Sequence, residues 1–279
     1  MKLKFTKMHG CGNDYIYIDC FDQVVENPEE LSRNLSRYHF GIGGDGIILI
    51  EPSPRADGMM RLFNQDGSTG RMCGNGIRCV GKYLYDSGRA RKEHLVVDTP
   101  AGLRTLDVHV KNGKATELTV NMSQAEFASE KVPVALPMAE VVDEPVMIGD
   151  TEYNITCVSM GNSHCVVFCD DVDGLDLQKI GPLFENAPIF PDRVNTEFIQ
   201  VIDRHTLKMR VWERGSGETW ACGTGACASA VAAIRCGHCD RDGEILVHLV
   251  GGDLKIRWTE ETVWMTGPAV TVFTGEVEI

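Results

Sequence analysis

Positive charge is scarce in this chain: 27 Lys and Arg stand against 40 Asp and Glu, a formal net charge of −13. A nucleic-acid footprint or an anionic membrane surface asks for the opposite balance, so neither partner is expected. A small anionic substrate is not excluded, because it feels the local site rather than the sum. No apolar run approaches the ~20 residues of a membrane-spanning helix. The basic start, Met1-Lys2-Leu3-Lys4-Phe5-Thr6-Lys7, is followed by no apolar segment, so no signal peptide is expected. The chain has no Ser-His-Asp order, no phosphate loop and no H-E-x-x-H. A disulfide framework is also missing: eleven cysteines is an odd count, and without an export signal they read as reduced thiols of a cytoplasmic protein.

Two short stretches that resemble one another organise the rest. They are Cys73-Gly74-Asn75-Gly76 and Cys222-Gly223-Thr224-Gly225. Each puts a thiol at the mouth of a helix, and its glycines let backbone N–H groups approach a bound group. The second helix, Ala226 to Ile234, is small and apolar all round and so is expected to be buried. The offset between the cysteines, 222 less 73, is 149. Asn13 and Asn162, Asn64 and Glu213, and Gly46 and Asn195 share it. One constant offset at four landmarks points to a duplicated domain rather than coincidence.

The 279 residues, 43% hydrophobic and 24% charged, suffice for one large or two small domains. In the first half the pattern predicts strands over 3–7, 15–19, 47–51, 59–63, 95–98, 103–111 and 114–122. Helices are expected over 28–38 and from Cys73 to about Asp86, the second closed by Gly88. Met8 to Asp14 reads as a glycine-rich loop presenting Asn13, and Asn112-Gly113 as a hairpin turn. Gly41-Ile42-Gly43-Gly44-Asp45-Gly46 matches G-x-G-x-x-G, but a helix precedes it and a strand follows. That is the reverse of a dinucleotide site, so the loop is a helix stop and tight turn. The segment 123–143, with Pro133 and Pro137, holds the linker. Strands over 153–159, 165–168, 198–202, 207–212, 244–250, 253–258, 263–266 and 270–273 follow, with a helix over 177–186. The domains are expected at 1–122 and 123–266, with a tail over 267–279 returning to the first.

A cysteine in the first helical turn meets unpaired N–H donors and the positive dipole end, which can bring a thiol from ~8.5 into the range of roughly 3.5–7.5. One such thiol suggests a nucleophile. Two, one from each half of a repeat and facing one carbon, suggest proton removal from one face and return to the other, which inverts a stereocentre. Spare N–H groups at both helix starts could hold a carboxylate and stabilise the carbanion beside it. For either cysteine alone, a small buried packing residue is the better reading; the matched pair outweighs it. His164 and Glu213 are the polar residues best placed to tune a thiol, though a lone His is more often a satisfied loop residue and Glu213-Arg214 could be a surface pair. Cys236-Gly237-His238-Cys239 has redox C-x-x-C spacing but lies at the end of a helix, where the dipole opposes a thiolate, and no second C-x-x-C completes a zinc cage. It reads as structural. Cys11, Cys20, Cys79, Cys157, Cys165, Cys169 and Cys227 read as packing residues.

Met8-His9-Gly10-Cys11-Gly12-Asn13-Asp14, Phe63-Asn64-Gln65-Asp66-Gly67-Ser68, Cys73 to Cys79, Gly161-Asn162-Ser163-His164, Trp212 to Thr219 and Ala221 to Gly225 together resemble the diaminopimelate epimerase family. The resemblance spans nearly the whole chain. It implies an α/β (α+β) fold of two pseudo-symmetric domains. Each would be a mostly antiparallel sheet or barrel wrapped round a central helix, with the site in the cleft between them. It implies an epimerase without a cofactor or metal, interconverting LL- and meso-2,6-diaminopimelate on the route to lysine and peptidoglycan, and a homodimer. Cys73 and Cys222 would be acid and base, and main-chain groups at Gly74-Asn75 and Gly223-Thr224 would hold the carboxylate at the reacting carbon. Asn13, Asn64, Asn162, Asn195, Glu213 and Arg214 would bind substrate, while His164 and Glu213 tune the thiols. Gly46 stands where some members carry a substrate-contacting Gln, Ser163 where Pro is common, and Trp220 where smaller or polar residues are frequent. The alternatives are a proline-type racemase, a thiol–disulfide oxidoreductase on Cys236 and Cys239, and a non-catalytic binder of acidic amino acids.

Overall fold

Runs such as Tyr15-Ile16-Tyr17-Ile18 and Ile47-Ile48-Leu49-Ile50 are buried on both faces, as strands are when helices cover each side of them. The computed structural model describes residues 2–279 and shows what covers them. In chain order the first half contains β1 (Lys2–Gly10), β2 (Asn13–Asp19), α1 (Pro28–Leu35), β3 (Gly46–Glu51), β4 (Gly58–Asn64), β5 (Thr69–Gly70), α2 (Gly74–Ser87), β6 (His94–Asp98), β7 (Arg104–Lys111) and β8 (Lys114–Asn121). The second contains β9 (Glu144–Ile148), β10 (Thr151–Ser159), β11 (Ser163–Phe168), α3 (Leu177–Glu185), β12 (Asn195–Asp203), β13 (Thr206–Glu213), β14 (Gly217–Thr219), α4 (Gly223–Arg235), β15 (Ile245–Leu249), β16 (Gly252–Trp258) and β17 (Val263–Pro268), and β18 (Val270–Glu278) ends the chain. The protein is a mixed α/β fold of two compact units, residues 2–121 with 266–279, and 122–265.

In the first unit β18 runs antiparallel along β1, Lys2 opposite Glu278. β1 pairs antiparallel with β2, and β2 parallel with β3, the chain crossing between them through α1. The strand faces alternate. Ile16, Ile18, Ile47 and Leu49 pack with Leu31 and Leu35 of α1. The opposite face turns to α2, where Tyr17 Oη donates to Gly76 O at 3.4 Å. α2 touches β1, β2, β4, β6, β7 and β8, so strands surround it.

The second unit repeats this with unchanged register at its centre. Ile16 pairs with Ile47 and Cys165 with Thr196, both parallel. Leu62 pairs with Gly70 and Val211 with Thr219, both antiparallel. Each second member lies 149 residues after its counterpart, the offset read from 222 less 73. α4 carries no polar face: Gly225 to Ala233 are all buried, among β10–β13, β15 and β16.

Several expectations are corrected. Met8 to Asp14 is not a loop, because β1 and β2 stay paired to Gly10 and Asn13. Only Cys11 (φ 54°) and Gly12 (φ 81°) turn the chain, as a tight hairpin with both central residues left-handed. α1 stops at Leu35 rather than Tyr38, since Gly43 and Gly44 N–H groups take the carbonyls of Leu35 and Ser36. The segment 123–143 is not loose: Val132, Val134 and Val141 lie in the second unit's core. β9 escaped detection because Pro145 weakens the strand signal, and β5 and β14 are too short to leave one.

α3 is seated by one close approach. A Cβ on Gly181 would lie 2.3 Å from the indole of Trp212, whose Nε1 donates to Glu185 at 2.7 Å. The indole is buried and tethered and cannot yield. Gly181→Ala is therefore expected to cost about 1–3 kcal/mol, read as a lower urea midpoint with an unchanged slope; an unshifted midpoint would contradict this packing.

Candidate active site

A helix start leaves its first N–H groups unpaired, and here each central helix offers one to sulfur. Cys73 caps α2 with extended backbone (φ −137°, ψ 117°), and its Sγ accepts from Gly76 N at 3.3 Å. Cys222 caps α4 likewise (φ −111°, ψ 109°), accepting from Gly225 N at 3.3 Å. The glycine at the fourth position of each motif has a packing cause. A Cβ on Gly76 would lie 2.7 Å from Ile48 Cδ1, and one on Gly225 2.5 Å from Glu197 Oε1. Side chains of the strand beneath thus pack closely against the residue whose N–H reaches the sulfur.

Around Cys73, the thiol donates to Asn13 Oδ1 at 3.3 Å. Asp45 sets that amide, with Oδ2 accepting from Asn13 Nδ2 at 2.6 Å and from Asp14 N at 3.0 Å. Burial, then neighbouring Asp14, raises the Asp45 carboxyl. The glycine loop before β3 therefore does more than stop a helix: it carries the carboxylate that orients Asn13. Asp45 was missed because its partner lies 32 residues away. Arg78 was missed too. It is fully buried, its guanidinium donating to Gly74 O (3.1 Å), Asn75 Oδ1 (2.8 Å) and Pro268 O (3.2 Å). It ties the first turn of α2 to the last residue of β17. Asn64, at the end of β4, bonds Ser68 Oγ at 3.0 Å. Gly46 pairs with it in register, and a Cβ there would meet Phe63 O at 2.1 Å, so backbone packing accounts for that glycine.

Around Cys222 the predicted residues gather more densely. Thr224 Oγ1 is 3.5 Å from the sulfur and accepts from Asn162 Nδ2 at 3.3 Å. Asn162 Oδ1 is 3.0 Å from His164 Nε2. His164 Nδ1 is 2.7 Å from Glu197 Oε1, and both side chains are fully buried. Glu213 accepts from the Thr219 hydroxyl. Asn195 donates to Ser163 O at 3.0 Å and accepts from Arg214 N at 2.9 Å. The Arg214 side chain reaches Asp192 O at 2.7 Å. Trp220 is 65% exposed.

The expected lowering of the thiol fails at Cys222. Burial first, then the Glu213 and Glu197 carboxylates, push it well above the ordinary thiol value, outweighing Thr224 and the Gly225 N–H. Cys222 rests as a thiol. Burial also raises Glu213. At the far end of α4, Cys236 is the C-cap with Sγ 3.3 Å from Thr156 Oγ1, and burial raises it. Cys239 is raised to about 11, again by burial. Neither is an activated nucleophile. Because the Glu213 charge holds Cys222 up, Glu213→Gln is expected to move the pH profile of Cys222 alkylation by iodoacetamide, followed by peptide mass spectrometry, to lower pH. An unmoved or upward-moved profile would refute this electrostatic assignment.

A model of the diaminopimelate epimerase family matches residues 5–128 and 156–272. The diaminopimelate epimerase of Acetivibrio thermocellus is 53% identical over 279 residues, 99% of each chain. That of Agathobacter rectalis is 50% identical over 286 residues, 99% of this chain and 100% of its own. That of Methanococcus maripaludis is 50% identical over 279 residues, with the same coverage. Among solved structures, a probable proline racemase from Agrobacterium radiobacter superposes with a TM-score of 0.73 at 16% identity, over 99% of this chain and 93% of its own. A PhzF-family phenazine biosynthesis protein from Bacillus anthracis gives 0.71 at 18% identity over 100% of both chains. At such identities these two structures speak to the fold alone, which is theirs. The family model and the full-length identities lead to one conclusion: this chain belongs to the diaminopimelate epimerase family.

Proposed function

We propose that this protein is an epimerase interconverting LL- and meso-2,6-diaminopimelate in lysine and peptidoglycan precursor synthesis, by proton transfer between Cys73 and Cys222 without a cofactor. The observation that carries the mechanism is the matched pair of helix-capping cysteines, each sulfur 3.3 Å from the N–H of the third helical residue. In one direction the Cys73 thiolate removes the α-proton, and the Cys222 thiol supplies a proton to the opposite face; the reverse reaction exchanges the roles. The raised Cys222 thiol suits the donor. The carbanion formed between these steps is stabilised through its carboxylate, for which the first-turn N–H groups at Gly74-Asn75 and Gly223-Thr224 are the donors. Asn13, Asn64, Asn162, Asn195, Glu213 and Arg214 hold the substrate, and the non-reacting amino and carboxylate end explains why so many polar groups are needed. Proline has no such end, which ranks a proline racemase lower.

In deuterated water under reducing conditions, LL-diaminopimelate is expected to take up deuterium at an α-carbon and yield the meso form. Cys73→Ala and Cys222→Ala should each lower kcat by about 10²–10⁴-fold, the usual share of a positioned acid or base. Binding without exchange would leave only a binding protein; exchange on proline but not on diaminopimelate would reverse the substrate assignment. Loss of activity in a Cys236→Ala/Cys239→Ala protein, with Cys73→Ala unaffected, would favour the redox alternative.

The working form in this reading is a cytoplasmic homodimer. Among the described residues no helix is long and apolar enough to cross a membrane, and β18 exposes Val270, Val272 and Phe273. Light scattering should give twice the 30.8 kDa chain mass; a monomer mass at micromolar concentration would remove the dimer.

A further inference from the structure

The two units place different side chains at equivalent positions under their capping cysteines. Offset by the same 149 residues (222 less 73), Tyr15 corresponds to His164 and Ile48 to Glu197. Ile48 and Glu197 lie beneath the first helical turn, each against the glycine whose N–H reaches the sulfur. In the first unit an apolar side chain fills that place. In the second it is a carboxylate, fully buried, with Oε1 on His164 Nδ1 and Oε2 without a hydrogen-bond partner among the described residues. A carboxylate there is costly where Ile serves the fold equally well.

From Glu197 an unbroken chain of polar contacts runs to the candidate catalytic sulfur. It passes through His164 (2.7 Å), Asn162 (3.0 Å) and Thr224 (3.3 Å) to Cys222 (3.5 Å). His164 Nδ1 faces Glu197 Oε1, which only accepts, so Nδ1 is the donor there, and Nε2 faces Asn162 Oδ1. Asn162 in turn donates through Nδ2 to Thr224, which leaves the Thr224 hydroxyl hydrogen for Cys222. Every donor then points toward the sulfur, the arrangement that receives a thiolate after Cys222 has given up its proton.

Resting on the epimerase reading above, we infer that Glu197 is a positioning residue: it fixes His164 Nδ1 as a donor, orients the ring against Asn162, and thereby aligns Asn162 and Thr224 to accept the charge left on Cys222. It touches no substrate. A carboxylate can only accept, so it dictates that Nδ1 carries a hydrogen; an amide in its place would accept or donate and release that constraint.

The test uses the full-length protein. In wild type, the ring ¹⁵N resonances of His164 are expected to show a hydrogen on Nδ1; a bare Nδ1 would overturn the inference without any variant. Glu197→Gln, checked for folding by its melting curve, is expected to lower kcat by about 10–100-fold, the usual cost of losing such a supporting partner, with KM within about threefold. Deuterium exchange without inversion should persist in the diastereomer whose α-hydrogen faces Cys73, because Cys73 can remove and return a proton on its own face. The ratio of exchange to inversion should therefore rise at least tenfold. Exchange and inversion falling together would mark Glu197 as structural only, and unchanged kinetics would remove its role; either overturns the proposal. A wild-type protein that inverts neither isomer would instead overturn the epimerase reading and this catalytic role with it, while the ring resonances would still report whether Glu197 sets the hydrogen on His164.

Discussion

The candidate site depends on one contact made twice, the N–H of the third helical residue donating to the sulfur that caps the helix. Glycine at that residue lets the strand below pack closely: an added Cβ would lie 2.7 Å from Ile48 in one unit and 2.5 Å from Glu197 in the other, and those side chains would have to shift. The contact in turn needs the helix buried at the centre of its unit, so that strands approach from all sides. The small, apolar faces of α4 and the both-face burial of β3 and β12 follow from that demand. Sulfur placement, glycine spacing and core packing are therefore aspects of one constraint.

On this shared scaffold the two sulfurs meet different surroundings. Cys73 lies beside a neutral amide, Asn13, which Asp45 orients from the neighbouring loop. Cys222 is buried and faced by Glu213 and Glu197, which raise it. A helix start favours thiolate, yet desolvation and two negative charges win at Cys222, since in a buried site a nearby charge is poorly screened. At Cys222 burial is the largest cause, and the Glu213 and Glu197 carboxylates on β13 and β12 add to it.

Buried polar groups around the helix starts extend the same logic. Arg78 spends its donors on Gly74 O, Asn75 and Pro268 O, so the first turn of α2 is held in place. Rigid support of this kind is what lets backbone N–H groups act as preorganised donors toward a developing negative charge.

Much of this was legible in the chain itself. The offset of 149, 222 less 73, located the repeat. Hydrophobic alternation, Pro28, Gly88 and Asn112-Gly113 marked most elements, because periodicity, caps and turn chemistry act between near neighbours. Cys73 and Cys222 stood out for the same reason. What the chain alone left undecided involves residues far apart in it: the hairpin that carries β1 and β2 through to Cys11-Gly12, the Asp45 anchor of Asn13, and Glu197 beneath Gly225. Least predictable was the raised Cys222 thiol. Local sequence records the helix start that lowers a thiol, but only the folded unit decides how much water is removed and which carboxylates β12 and β13 bring beside it, and those terms are the larger.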